Sequence, residues 1–417
     1  MKIGIIGNGF VGKATKLFKS KSIDIIVYDI KKELCEPLDV KISDIELCDL
    51  IFICLPTPID HDSSCFTKNL EIVIKSIKNP YKIIRSTVPI GFSELNNCFF
   101  MPEFLTEINW KEDFINSSYW IFGLLQENND LNEIFKEKIT NLLNISKNEN
   151  SIKYCNIYWT INIEAEFLKL SKNCFLATKV GIMNELYNLA KIKNINFDNI
   201  VKLYKLDSRI GNSHMNVPGY DNLFGYGGTC FPKDTYNLYN LFQDNKLDSY
   251  YFQTSLLRNE TVDRPERDWV LDIGRTVKST TNKISLIING TDDEGIKICE
   301  KLIKNNNIVI CLDSYNNEKT EKIKDLIKYT NFYKKEADIS NKQFFPKLDF
   351  IYYIGNSFTD FIELKKNILG IMNTLELYKI HKCKLIFINI NFGIDIINKF
   401  NDLYNINNDL LIIDSIQ

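Results

Sequence analysis

The chain has 417 residues, 45% of them apolar and 25% charged. That is the profile of a globular protein with apolar mass for two or three domains, and it excludes a chain that stays disordered. Its 51 basic residues against 53 acidic ones leave a formal charge of -2, which argues against nucleic acid as the main partner.

Lys, Asp or Asn interrupts every apolar run well before the ~20 residues that a membrane span needs. Met1-Lys2 runs straight into Ile3-Gly4-Ile5-Ile6-Gly7, which reads as strand and turn and not as a cleavable leader. The 11 cysteines are scattered without a C-x-x-C pair, and the histidines are His61, His214 and His381. Neither a disulfide framework nor a metal centre is expected, and the chain is placed in a reducing cytoplasm.

In chain order, Ile3–Ile6 reads as a strand and Gly12–Lys21 as a helix. Ile23–Tyr28, Leu50–Leu55 and Lys82–Ser86 are further apolar, strand-like runs. Short buried strands separated by helical segments predict a parallel sheet of βαβ units. From about Thr160 to Lys193, apolar residues recur at helical spacing without Pro, which predicts one long helix. A Gly/Asn/Pro-rich loop spans Arg209–Asp234, and a helical region follows to about Lys278. The alternation then resumes with strands at Ile284–Ile288, Ile308–Leu312, Leu348–Ile354, Lys384–Ile390 and Leu410–Ile413. The expectation is α/β throughout: a Rossmann-type domain at 1–160, a central long-helix region at 161–278 and a Rossmann-like domain at 279–417.

Gly7-Asn8-Gly9-Phe10-Val11-Gly12 fits G-x-G-x-x-G between a strand and a helix. Gly7 permits the tight turn, Gly9 lets backbone approach a pyrophosphate, and Gly12 allows close helix–strand packing. Asp29 follows seventeen residues later, at the end of the second strand. A carboxylate there accepts ribose hydroxyls and repels a 2′-phosphate, which favours NAD over NADP. The competing reading is an ordinary glycine-rich turn.

Phe224-Gly225-Tyr226-Gly227-Gly228-Thr229-Cys230-Phe231-Pro232-Lys233-Asp234 is the sharpest local feature. Its glycines strip side chains from a strip of backbone against which a ligand can lie. Lys233 offers a cation that favours thiolate at Cys230, and Asp234 a carboxylate for water or proton handling. The bland alternative is a tight turn ahead of a helix, with a small buried cysteine.

Glu166, Lys169 and Asn173 share a helix face by their spacing of three and four. Lys169 and Asn173 suit the stabilisation of one oxyanion. Taken alone, the better reading is an exposed Glu166–Lys169 pair with Asn173 solvated. Ser86-Thr87-Val88-Pro89 ends a strand-like run and Pro102-Glu103-Phe104-Leu105-Thr106-Glu107 follows another apolar segment, so both could face the crevice where ligands of doubly wound sheets bind.

Together these pieces resemble the UDP-glucose 6-dehydrogenase family of nucleotide-sugar dehydrogenases, from Met1 to about Thr276. The motifs run in order: G-x-G-x-V-G, the Leu55-Pro56-Thr57-Pro58 loop, S-T-V-P, P-E-F-L-x-E, K-L-x-x-N, R-I-G-N and G-Y-G-G-x-C-F-x-K-D. The resemblance implies oxidation of UDP-glucose to UDP-glucuronate with two NAD, through a thiohemiacetal and thioester on Cys230. Lys169, Asn173, Asp234, Thr87 and Glu103 would assist that chemistry. The cofactor would meet Gly7, Gly9, Phe10, Val11, Gly12, Asp29, Pro56 and Thr57, with Ser86, Thr87, Glu107 and Lys233. The substrate would meet Phe104, Leu105, Glu107, Lys169 and Asn173, with Phe224, Gly225, Gly227 and Cys230. Arg209 would reach the substrate of a neighbouring subunit, which implies a homodimer. Ile108 stands where the family carries Gly after the second glutamate, and His214 has no assigned role.

The last domain departs. Where the family carries F-K-x-x-T-x-D-x-R-x-S, this chain reads Asn289-Gly290-Thr291-Asp292-Asp293-Glu294-Gly295. Phosphates would meet carboxylates in place of cations. That leaves GDP-mannose, a UDP-N-acetylhexosamine or a nucleotide-free sugar as alternative substrates, and a non-catalytic NAD-binding homologue as the alternative class.

Overall fold

The computed structural model describes residues 1–106, 108–228, 230–270, 282–355, 360–389 and 410–413. Two compact units emerge. Unit 1 comprises Met1–Pro58 with Cys65–Phe175, and unit 2 comprises Ile59–Ser64 with Leu176–Gln417.

Unit 1 runs β1 (Lys2–Ile6), α1 (Phe10–Thr15), β2 (Asp24–Tyr28), α2 (Ile42–Glu46), β3 (Leu50–Ile53), α3 (Lys68–Ser76), β4 (Lys82–Ile84), α4 (Phe92–Leu95), β5 (Phe99–Phe100), α5 (Trp110–Ile115), β6 (Trp120–Leu124), α6 (Asn129–Asn148) and β7 (Ile157–Ile161). Helix α7 (Asn162–Ile192) starts in unit 1 and ends in unit 2. The sheet order is β2-β1-β3-β4-β5-β6-β7, parallel except where β5 meets β6. The apolar runs form strands because both faces are covered. Ile3, Ile5, Leu50 and Phe52 enter one core, while Ile6, Ile51 and Ile53 enter the other. The chain reverses its direction of winding at β1 and β3, so the turn after β1 opens into the switch-point crevice.

Unit 2 continues with α8 (Phe197–Tyr204), α9 (Phe231–Asp244), α10 (Tyr250–Arg258) and a π-helical turn at Asn259–Asp263. It then runs β8 (Ile284–Ile288), α11 (Asp293–Lys304), β9 (Ile308–Asp313), α12 (Asn317–Lys322), β10 (Phe332–Glu336), β11 (Phe350–Ile354), α13 (Phe361–His381), β12 (Lys384–Ile388) and β13 (Leu410–Ile413). The order β10-β9-β8-β11-β12-β13 is parallel throughout and is that of a dinucleotide-type sheet.

The expected α/β class and the long helix are found, and element edges move by a few residues. The helix expected over Gly12–Lys21 is shorter: α1 tightens into a 3-10 turn at Lys16–Phe18, and Lys19 leaves helical geometry ahead of β2. Strands β5, β6, β7 and β10 were not foreseen. Strand β5 has two residues, and β10 (FYKKE) mixes buried and exposed positions as an edge strand does. The expected boundary near Lys278 lies outside the described residues.

Candidate active site

In unit 1 the three turn glycines differ in what surrounds them. Gly7 takes φ +94, and a Cβ there would lie 2.6 Å from the Cys54 carbonyl oxygen. A Cβ on Gly12 would lie 1.9 Å from the Gly7 carbonyl oxygen, whereas one on Gly9 would meet nothing within 4 Å. Turn, packing and open approach therefore fall on Gly7, Gly12 and Gly9 respectively. Asp29 anchors the turn: its carboxylate accepts the Asn8 amide at 2.8 Å and the Lys31 amide at 2.9 Å. Phe10 packs edge-on against Trp110, and Val11 follows it within α1.

The loops after β3 and β4 are stapled together. The Ser86 hydroxyl donates to the Leu55 carbonyl at 2.5 Å, and the Thr57 hydroxyl donates to the Thr87 carbonyl at 2.6 Å. Thr57, Ser86 and Thr87 are buried, while Pro56 is exposed. These hydroxyls fix the crevice wall and keep oxygen lone pairs as acceptors.

Helix α7 overturns the exposed-pair reading of its polar face. Glu166, Lys169 and Asn173 are all buried, with Lys169 only 2% exposed. Glu166 is not paired with Lys169; it accepts the backbone amides of Gly91 and Ser93. Lys169 Nζ instead donates to the Glu103 carboxylate and to the Glu103 carbonyl, each at 2.6 Å. Burial alone would raise the Glu103 carboxyl, yet the Lys169 ammonium and the Leu105 amide hold it below the usual range. Lys172 sits over the Phe104 ring at 3.6 Å, and burial pushes its ammonium down. Leu105 packs against the core, and Glu107 lies outside the described residues.

In unit 2, Cys230 is the half-buried N-cap of the fourteen-residue α9. A helix start favours thiolate. Lys233 and Asp234 are buried and paired at 2.7 Å in the first turn of the same helix. A Cβ on Gly225 would lie 2.4 Å from Asn259 Oδ1, and one on Gly227 would lie 2.4 Å from the Arg264 guanidinium carbon. Packing within unit 2 therefore disfavours a side chain at these two positions.

Residues that sequence reasoning missed hold this loop in place. Asn184 Oδ1 accepts the Gly225 amide, and the Asn259 side chain brackets both backbone groups of Tyr226. Arg264 bonds Asp221 and Asp268. The polar run Asn259–Asp268 was the available signal, but a spacing of tens of residues hides its partners. Phe224 is partly exposed beside Tyr187. Arg209 is 87% exposed and forks onto Asp207, while Lys179 of α7 donates to the neighbouring Ile210 carbonyl.

Residues 163–261 match the model of the UDP-glucose/GDP-mannose dehydrogenase family, central domain. Over 306 residues the chain is 32% identical to a UDP-glucose 6-dehydrogenase of Campylobacter jejuni, spanning 63% of this chain and 74% of that one. It is 28% identical over 282 residues to a UDP-glucose 6-dehydrogenase of Streptococcus pneumoniae, spanning 58% and 69% of the two chains. In fold it is similar to a UDP-glucose dehydrogenase from Pyrobaculum islandicum, with TM-score 0.53, 18% identity, and 84% and 89% of the two chains covered. The long-helix face, the Cys230 segment and these likenesses agree: the chain belongs to the UDP-glucose/GDP-mannose dehydrogenase family of nucleotide-sugar dehydrogenases.

Proposed function

We propose that the protein oxidises the C6 alcohol of UDP-glucose to the carboxylate of UDP-glucuronate, with NAD as oxidant. The observation that carries this is Cys230 at the start of α9. A two-electron alcohol dehydrogenase needs no nucleophile, whereas a thiolate can hold an aldehyde for a second oxidation.

The open side of Gly9 and the placement of Asp29 suit NAD, and two NAD bound in succession would each accept one hydride per sugar. Cys230 adds to the C6 aldehyde as a thiohemiacetal, and loss of the second hydride leaves a thioester that water cleaves to the acid. Lys169 and Asn173 stabilise the C6 oxyanion. Glu103 holds the Lys169 ammonium in place and assists the hydrolytic water, with Thr87 in the same water network. Asp234 takes part in proton handling. The exposed apolar residues Leu168, Phe175, Ile182 and Leu189 recur every seven positions along α7, and they support a homodimer built on this helix face, with Arg209 serving the neighbouring subunit.

A second reading, with a different sugar nucleotide as substrate, is favoured by the turn after β8. Helix α11 begins at Asp292, Asp293 and Glu294, where a diphosphate would meet negative charge.

The test is NADH yield with limiting UDP-glucose. Two NADH per sugar, with turnover lost in Cys230→Ala, is the expected result. One NADH per sugar, or undiminished turnover in the variant, refutes the covalent route. No NADH from UDP-glucose but turnover of GDP-mannose or a UDP-N-acetylhexosamine moves the assignment to that sugar.

A further inference from the structure

Helix α7 meets two loops from one buried face. Lys169 grips the loop after β5 through Glu103. Glu166, one turn earlier, grips the loop after β4. Its Oε2 accepts the Gly91 amide at 2.6 Å and its Oε1 accepts the Ser93 amide at 2.8 Å. These amides belong to the start of α4, whose N-cap is Gly91 at φ +88, with no side chain of its own to serve them. The acceptor arrives from 73 to 75 residues further along the chain. Glu166 is 1% exposed, so water is no substitute for it. Burial raises its carboxyl above the ordinary range, and the bonds from Ser93 and Gly91 offset this only in part.

The near end of the same loop is fastened separately, by the Ser86 bond to Leu55 and the Thr57 bond to Thr87. The far end, at Gly91 and Ser93, is fastened by Glu166.

We propose that Glu166 is a positioning residue: it sets the loop Ser86–Gly91 in register with the helix that carries Lys169, and so fixes Thr87 relative to the Lys169 ammonium. The inference rests on the reading that Thr87 and Lys169 serve one dehydrogenase reaction.

Two full-length variants test it. Glu166→Gln keeps the size and one acceptor but turns a donor toward the second amide. Ser93→Pro removes one of the two amides from the opposite side, at the second position of α4, where proline is tolerated. Both are expected to bind NADH about five-fold more weakly by fluorescence titration, the size of effect expected for the net loss of one ordinary hydrogen bond. With UDP-glucose, both are expected to lose about ten-fold in kcat while KM for the sugar stays within about two-fold. The double variant should lose no more than the weaker single, because one clamp is broken twice.

Variants that melt earlier but keep wild-type NADH affinity and kcat per folded molecule overturn the proposal, for Glu166 then only stabilises the fold. If Glu166→Gln does not fold, Ser93→Pro decides on the same criteria. A wild type that oxidises no nucleotide sugar refutes the dehydrogenase reading instead. NADH affinity then decides separately: a drop in the variants retains the positioning role, and no change ends it.

Discussion

Gly9 and Gly12 sit three residues apart, and the geometry assigns them opposite consequences on substitution by alanine. At Gly12 the new methyl would stand 1.9 Å from the Gly7 carbonyl oxygen and 3.0 Å from its carbon. Relief requires α1 to move off β1 by more than about 1 Å. Overpacking of this kind costs about 1–3 kcal/mol, with a displaced backbone at the upper end, and alanine's better helix propensity returns only about 1. Gly12→Ala is therefore expected to lose about 2 kcal/mol of stability in urea. At Gly9 the methyl meets nothing within 4 Å, and φ of -74 suits alanine. Loss of an N-cap glycine and stiffening of the unfolded chain nearly offset each other, so stability stays within about 1 kcal/mol. The methyl instead stands where backbone should meet the cofactor pyrophosphate, and NADH affinity should fall about ten-fold or more, equivalent to about 1.4 kcal/mol. Urea melts and NADH fluorescence titrations on both variants give four numbers. Gly9→Ala with wild-type NADH affinity refutes the close-approach role; Gly12→Ala with wild-type stability refutes the packing role.

Lys169→Met leaves the Glu103 carboxylate buried without its cation and should cost about 3–5 kcal/mol at pH 7. In the wild type the Glu103 pKa is depressed, so its stabilisation is full above the unfolded value of about 4.3 and is lost as pH falls through the lower folded value. In the variant, burial acts unopposed by the ammonium, the pKa rises, and stability should increase as pH falls from 7; urea melts at pH 7 and pH 5 that show no such gain refute the account. Ile182→Lys with Leu189→Lys should convert a dimer to a monomer in sedimentation, and a wild type already monomeric refutes the helix-face interface. Asp292→Gly with Glu294→Lys should tighten UDP binding about ten-fold in calorimetry, and unchanged affinity refutes a deciding role for that turn.

Some of this was legible in the sequence because it is local. The Gly7–Gly12 turn, the long helix and five of the six strands of the last domain each announce themselves locally. The partners were not legible. Lys169 and Glu103 lie 66 residues apart, and nothing in either neighbourhood selects the other. Glu166 looked like half of a surface pair because Lys169 is three residues away, yet each side chain turns to a different loop. At Gly225 and Gly227 the bodies that would meet a Cβ are Asn259 and Arg264, more than thirty residues away in sequence. Strands β5 and β10 escaped because two residues carry no periodicity and an edge strand carries a mixed one.

The two units also solve the same local problem with opposite charge. In each, the residue after the first strand donates to the second strand: Gly7 to the Tyr28 carbonyl and Asn289 to the Leu312 carbonyl. In each, an aspartate following or ending the second strand accepts an amide of the turn, Asn8 to Asp29 and Thr291 to Asp313. In each, the N-cap carbonyl takes the first amide of the helical ladder, Lys13 to Gly9 and Ile296 to Asp292. Gly12 and Gly295 then pack against the turn behind them. The correspondence sets Gly9 opposite Asp292. At Gly9 an anion would meet bare backbone at a helix start. At Asp292 it would meet a carboxylate whose pKa burial and the nearby Asp313 push upward, followed directly by Asp293 and Glu294. Like charges about 5 Å apart repel by about 1–3 kcal/mol in a partly solvated site, enough to cancel what the helix start offers. A shared construction thus gives unit 1 a turn suited to a dinucleotide and unit 2 a turn that resists a diphosphate. Under the proposed reaction, the identity of the sugar nucleotide is therefore to be sought at Asn289–Gly295, and the oxidation chemistry among the residues of α7 and Cys230.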